Sequence, residues 1–200
     1  MLKSDWNFCK EKALQLLLKQ ESLSFPVEPQ RLNTGLSIYF DSIQGYCHTV
    51  GLPVSVFCNV QMLQDGCTIF SKDHSFYLIP YNEWDKSQYR RRFTLAHELG
   101  HILLSHCNDN ANSEKLANQF ASHLLLPRAA LSYIKQRVPF PVLTQLVPFF
   151  GVSVTALHYA WKDASLSGLS SPYEIQLIQK IHSSLDTLIS HLSEPIVSPD

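Results

Sequence analysis

Two histidines and a glutamate stand within five residues of each other, in the stretch His97-Glu98-Leu99-Gly100-His101. On an α-helix, residues four apart leave the same face one turn apart, so both imidazoles point in the same direction. Two neutral ring nitrogens so placed can bind one zinc ion at about 2.0–2.1 Å, with Glu98 beside them as a candidate general base. The spacing therefore predicts a zinc site suited to hydrolysis.

The apolar setting of this stretch favours the metal interpretation over a pair of ordinary histidines. Phe93 to Ala96 precede the stretch, and Ile102 to Leu104 follow it. Burying two unpartnered imidazoles on such a helix would be costly, whereas a metal ion uses both of their lone pairs. A purely structural zinc is disfavoured, because closed sites take four ligands and usually include cysteine.

A catalytic zinc needs a third protein ligand and an open position for water. Glu114 is the predicted ligand, because it shares the inward face of the next predicted helix with Ala117 and Ala121. These small side chains, together with Gly100 on the zinc helix, would let the two helices approach closely. The alternative is Asp109, on a polar loop where hydration or capping is the simpler role.

Two further histidines, His106 and His123, lie off the expected ligand face and are interpreted as structural or substrate-facing. The donor that would stabilise a tetrahedral oxyanion stays open. The candidates are Tyr81, Tyr89, Tyr133, His123 and the arginines Arg90, Arg91 and Arg92.

The sequence around these residues resembles the ImmA/IrrE family of metallopeptidases, most specifically over about residues 76–130. The matching motifs are Arg91-Arg92-Phe93-Thr94-Leu95-Ala96-His97-Glu98-Leu99-Gly100-His101, Glu114-x-x-Ala117-Asn118-x-Phe120-Ala121 and Leu124-Leu125-Leu126-Pro127. The resemblance implies a zincin-like α+β fold, with His97, His101 and Glu114 on Zn²⁺ and Glu98 as the base. It also implies cleavage or antagonism of a partner transcriptional repressor.

The elements that must position these residues follow from periodicity and turn signals. A small antiparallel sheet is expected within 36–80, with its clearest strands at Cys67–Ser71 and Phe76–Pro80. Asp85 and Gln88 form a candidate capping box, so the zinc helix is expected from near Lys86 to His106. The other predicted helices lie at 5–20, 29–35, Ser113–Leu126 and 172–193.

The predicted organisation is a zincin-like domain over 1–163, a Ser/Gly-rich linker over 164–172 and a C-terminal amphipathic helix and tail over 173–200. Within the helical part at 131–163, residues 142–161 have the apolar spacing of a helix-turn-helix motif. Their second helix lacks the basic and amide side chains that read DNA, and Pro148 interrupts the first, so core-packing helices are expected. The last helix carries an apolar stripe that is expected to dock onto the domain rather than dimerise; its residues are Ile175, Ile178, His182, Leu185, Ile189 and Leu192.

Composition excludes several partners. With 16 Lys and Arg against 17 Asp and Glu, the net charge of −1 gives no long-range attraction to nucleic acid or anionic lipid, and Arg90–Arg92 are interpreted as a solvated first helical turn. The five cysteines form no Cys-x-x-Cys pair and indicate reduced thiols in a cytoplasm. Neither a signal peptide nor a membrane span is predicted.

The predicted function is that of a cytoplasmic zinc endopeptidase acting on one specific protein partner, which the resemblance suggests is a transcriptional regulator. The alternative is a zinc-containing binding module that sequesters a regulator, or acts in a toxin–antitoxin-like pair, with little turnover. Sequence alone leaves the oligomeric state and the cleavage site open.

Overall fold

A computed structural model describes residues 3–59, 62–63, 65–84, 87–106, 110–165, 169 and 171–193. Over these residues the chain is an α+β protein, as predicted. Its helices are α1 (Lys3–Lys19), α2 (Ile43–Val50), α3 (Gln88–Leu103), α4 (Ala111–Leu125), α5 (Arg128–Arg137), α6 (Leu143–Phe150), α7 (Val154–Asp163) and α8 (Pro172–Ser193). Its strands are β1 (Ile38–Ser42), β2 (Cys58–Asn59), β3 (Met62–Leu63), β4 (Ile69–Phe70) and β5 (Tyr77–Tyr81), with short 3-10 turns at Pro29–Arg31 and Val54–Phe57.

The larger sheet is mixed, in the order β1-β5-β4. Strands β4 and β5 form the predicted antiparallel hairpin, with Ile69 opposite Leu78. The expectation of a wholly antiparallel sheet is wrong, because β1 runs parallel to β5 with Ile38 opposite Tyr77. A parallel pair needs a long crossover connection, and the chain between β1 and β5, which includes α2, supplies it. Strands β2 and β3 form a separate antiparallel pair.

Helix α1 is central to the core, because it packs against both α4 and α8. Its buried side chains are Cys9, Ala13, Leu14, Leu16 and Leu17. Burial raises the pKa of the Cys9 thiol to about 11, so this side chain behaves as an apolar core residue. Cys9, Cys47 and Cys58 are not joined in disulfides, while Cys107 lies outside the described residues.

Helices α3 and α4 pack closely at the point that the sequence predicted. A Cβ added to Gly100 would lie 3.1 Å from Phe120 Cδ1 and 3.2 Å from both the Cα and the carbonyl oxygen of Ala117. The absence of a side chain at Gly100 therefore sets the separation of the two helices. The predicted close approach of the two helices at Gly100 is confirmed.

The ends of these two helices differ slightly from the sequence prediction. Ser87 caps α3 and accepts a hydrogen bond from the Arg90 amide, while the proposed cap Asp85 and start Lys86 lie outside the described residues. The helix ends at Leu103, short of His106, because Ser105 takes a left-handed φ of 56°. Asn110 caps α4 in a capping box with Ser113, so the helix begins at Ala111, two residues before the predicted start at Ser113.

The segment with helix-turn-helix spacing forms α6 and α7, which are joined at Gly151 in a left-handed conformation. Pro148 does not interrupt α6, which continues to Phe150. Inward residues of both helices, among them Leu146, Phe150 and Leu157, belong to the main core. The apolar residues of α6 and α7 therefore pack into the core of the protein.

Arg92 corrects the expectation that the arginine run is a solvated first turn. Its guanidinium is buried and donates hydrogen bonds to the Gly151 carbonyl and to Glu28, both at 2.6 Å. Arg90 does lie at the surface, where it pairs with Asp65 at 2.7 Å. Arg92 therefore ties α3 to the end of α6.

Helix α8 packs against α1 and α5 through its buried Leu177, Ile178, Ile181 and Leu185. Docking was expected, but through a stripe that included Ile175 and His182, which the structure leaves exposed. Of the predicted linker at 164–172, residues 166–168 and 170 lie outside the described residues, and α8 begins at its last residue, Pro172. In the described part of the chain, no helix combines the length and apolarity needed to cross a bilayer.

Candidate metal centre

The two histidines of α3 and the glutamate of α4 converge at the contact between these helices. His101 Nε2 lies 3.0 Å from His97 Nε2, and each of these atoms lies 3.3 Å from one oxygen of the Glu114 carboxylate. Two ligands bound at 2.0–2.1 Å with tetrahedral angles stand about 3.3 Å apart. The observed separations therefore match those of ligands around one small cation.

The far nitrogen of each ring has a partner of its own. His97 Nδ1 lies 3.0 Å from the carboxamide oxygen of Asn118, which can only accept, so this nitrogen carries the hydrogen and Nε2 presents a lone pair. His101 Nδ1 lies 3.2 Å from His106 Nδ1. When His101 donates in that bond, its Nε2 also presents a lone pair. Partners of this kind fix the orientation of metal-binding imidazoles.

These contacts test whether the residues fit a metal ion. Two imidazole lone pairs and a carboxylate point at one another, and the candidate ligand atoms of the three residues all lie within 4.8 Å of each other. A proton can join only two of these atoms, whereas a cation between them contacts all three groups. Two nitrogens and one carboxylate form a donor set that Zn²⁺ accepts in catalytic sites. The residues fit.

Glu98 follows His97 in the sequence but is not one of the three converging groups. Its side chain is only 8% exposed, and its Oε2 accepts a hydrogen bond of 2.8 Å from the Thr68 hydroxyl. Thr68 comes directly before β4. The edge of the sheet therefore contacts the carboxylate that α3 supplies. A carboxylate held in this way can accept a proton from a water molecule positioned at the metal site.

Glu114 is more exposed than the sequence prediction implied. It begins the inward stripe of α4, where Ala117 and Ala121 are fully buried, but its own side chain is 48% exposed. The reason is its position in the first turn, at the mouth of the groove between α3 and α4. This exposure leaves the convergence point open to solvent and to a substrate.

The other candidate ligands and oxyanion donors that the structure describes are not part of the converging group. Asp109 lies outside the described residues. His123 is buried away from Glu114, where burial first and the nearby Arg128 second lower its pKa to about 3. The Tyr133 hydroxyl donates to Asp186 of α8 at 2.7 Å.

Neither His123 nor Tyr133 therefore faces this site, and Arg92 is used in the α3–α6 contact described above. Of the remaining candidate oxyanion donors, Arg90 pairs with Asp65 at 2.7 Å, while Tyr81 and Tyr89 are half-buried.

The sequence analysis gives no role to two residues of this site, Thr68 and Asn118, although Asn118 stands in one of the matching motifs. Asn118 follows Glu114 by four positions and so shares its helix face, a signal that was present in the sequence. Thr68 is 30 residues from its partner Glu98, and no local pattern indicates that pair. His106 was assigned a role away from the ligands, yet it contacts His101 because the chain turns back after α3.

A helix pair with these residues at its seam is the arrangement of a metallopeptidase, and a comparison with protein families agrees. Residues 62–162 match the model of the IrrE N-terminal-like domain, a peptidase family. The match covers more than half of the chain, so the protein belongs to this family, and the predicted resemblance is confirmed. Its substrate is accordingly a protein. Among curated proteins, none matches the chain.

Proposed function

We propose that the protein is a zinc-dependent endopeptidase in which His97, His101 and Glu114 hold the metal and Glu98 is the general base. The observation that carries this proposal is the convergence of two Nε2 atoms and one carboxylate at 3.0–3.3 Å. A zinc ion bound there would polarise the scissile carbonyl and lower the pKa of a bound water to near 7.

The remaining chemistry is done by the protein's own side chains. Glu98 accepts the proton of the attacking water and then delivers it to the leaving amine nitrogen. The hydrogen bond that its Oε2 accepts from Thr68 restricts the rotation of the carboxylate. Asn118 and His106 hold the two imidazoles in the tautomers that the metal requires.

We further propose that the protein substrate is a transcriptional regulator and that the enzyme acts in the cytoplasm. The support for the regulator is membership of the ImmA/IrrE family. The support for the cytoplasm is that Cys9, Cys47 and Cys58 are not joined in disulfides, which suits a reducing compartment.

The test combines metal analysis with cleavage of the regulator encoded beside the gene. The wild-type protein should carry one zinc per chain and cut the regulator into two fragments. Glu98→Gln should keep the zinc and lose activity by about 10²–10⁴-fold, the usual contribution of a general base. His101→Ala should lose the metal, whereas His158→Ala, at an exposed position on α7, serves as the matched control.

Two results would contradict the proposal. Stoichiometric zinc in purified His101→Ala would refute the ligand assignment. A stable complex with the uncut regulator, formed equally by the wild type and Glu98→Gln, would instead identify a binding module.

A further inference from the structure

A pocket of about 250 Å³ lies beside α3 on the side of the metal centre that leads towards the helix N-terminus. Three parts of the fold enclose it: the first turns of α3, the end of α4 and the start of α7. Its main lining residues are Tyr89, Phe93, Leu125, Leu126, Val152 and Ala156.

The pocket continues the seam that contains the metal centre. Residues spaced by four form two facing rows along this seam, Phe93, His97 and His101 on α3 and Glu114, Asn118 and Ser122 on α4. The rows meet at His101 with Glu114, 3.3 Å apart, and at His97 with Asn118, 3.0 Å apart. The next pair along both rows, Phe93 and Ser122, lines the pocket.

We propose that this pocket binds one bulky apolar side chain of the peptide substrate, about two residues from the bond that is cut. The proposal rests on the proposed function, since it assumes that the peptide is cut at the metal centre. Four helical residues advance about 6 Å along the axis, and an extended peptide covers that distance in about two residues.

The chemistry of the lining selects an apolar side chain. Leu125, Leu126 and Val152 are buried and form an apolar floor, and Phe93 is partly exposed at the opening. Among the described lining residues only Arg90 is charged, and its guanidinium already pairs with Asp65 at 2.7 Å. An acidic side chain would therefore gain little here, while a buried apolar one is stabilised by leaving water.

The size of the pocket points to a single side chain rather than a whole ligand. Sites that enclose a complete small molecule usually measure about 300–1,000 Å³, and this pocket, at about 250 Å³, is smaller. It is also open beside Phe93, which is 37% exposed. A polypeptide can therefore lie along the seam and insert one residue.

The test selects peptides by binding, so that it does not depend on turnover. Full-length zinc-loaded Glu98→Gln is incubated with a randomised peptide library, and the bound peptides are sequenced. We expect enrichment of Leu, Ile, Met or Phe at one fixed position. The selected peptides are then measured against Ala156→Trp, which fills the pocket, in the same Glu98→Gln background.

Ala156→Trp should raise the Kd of the selected peptides by at least about tenfold, since an apolar side chain would lose its buried site. Thr155→Trp is the matched control: it adds the same bulk to the neighbouring, exposed position of α7 outside the pocket, and should leave the Kd unchanged. Both variants should keep their zinc and their far-ultraviolet circular dichroism.

The outcomes separate this proposal from the proposed function. Absence of an apolar preference, or a preference that survives Ala156→Trp, overturns the pocket assignment. Selected peptides that bind through the pocket, yet are left uncut by the wild-type enzyme, support the pocket and contradict the peptidase instead. Cleavage two residues from the selected side chain supports both.

Discussion

At the scale of single residues, the proposed metal centre depends on side chains that are not themselves proposed as ligands. Asn118 and His106 each engage the Nδ1 atom of one imidazole, at 3.0 and 3.2 Å. The Asn118 bond, and the His106 bond when His101 donates in it, leave the Nε2 lone pairs directed to the centre. Metal affinity should therefore respond to both residues, although neither is proposed as a ligand.

Asn118→Ala is expected to weaken zinc binding by about 10–100-fold, because the His97 ring loses the acceptor that orients it. Asn118→Asp should retain most of the affinity, since a carboxylate oxygen also accepts from Nδ1. The measurement is competition with a chromogenic chelator. Asn112→Ala, an exposed asparagine on the same helix, is the control, and an equal loss there would contradict the orienting role.

His123 makes the stability of the fold sensitive to acid. It is 6% exposed, its Nδ1 has no hydrogen-bond partner, and its pKa is lowered to about 3. At pH values between about 3 and the unfolded pKa of about 6.5, His123 is neutral in the folded protein but protonated in the unfolded chain. The free energy of unfolding therefore falls with decreasing pH, by up to about 1.4 kcal/mol per pH unit.

His123→Leu should remove this dependence. We expect its loss of stability between pH 7 and pH 5 to be about 2 kcal/mol smaller than that of the wild type. Urea unfolding at the two pH values measures the difference, with His158→Leu on the exposed face of α7 as the control. Parallel losses in His123→Leu and the wild type would contradict the assignment.

At the scale of elements, the spacing of α3 and α4 is set by Gly100. Helix propensity alone predicts that Gly100→Ala stabilises the protein by about 1 kcal/mol. The added Cβ would, however, stand 3.2 Å from two backbone atoms of Ala117, and backbone cannot move aside as a flexible side chain can. Overpacking of this kind costs about 1–3 kcal/mol.

We therefore expect Gly100→Ala to destabilise the fold and also to weaken metal binding, because the ligands lie on the two separated helices. Urea unfolding and zinc titration of the same variant measure both effects. A gain in stability would show that propensity dominates and that the contact is not limiting.

The arginine run offers a second comparison between elements. Arg92→Ala leaves the Gly151 carbonyl and Glu28 without the buried guanidinium, and we expect a loss of about 2–3 kcal/mol. Arg90→Ala removes an exposed ion pair with Asp65, worth about 0–1 kcal/mol. Urea unfolding of both variants measures the contrast, and equal losses would contradict the distinction.

At the scale of the whole molecule, the sequence predicted what local patterns determine. The four-residue spacing of His97 and His101 indicated one ligand face, and the small residues indicated the close contact at Gly100. Long-range relations were not predictable. The parallel pairing of β1 with β5, the bond from Thr68 to Glu98 and the burial of Arg92 all join residues far apart in the chain. Tertiary packing, rather than local periodicity, decides them.

The position of α1 between α4 and α8 has a consequence for how the protein is made. The two helices are separated by more than 150 residues, so the ribosome completes α1 well before α8. Until α8 follows, the core residues of α1, such as Leu14 and Leu17, lack the α8 members of the same cluster, Leu177, Ile178, Ile181 and Leu185. The nascent chain therefore carries an apolar helix flank of the kind that chaperones bind.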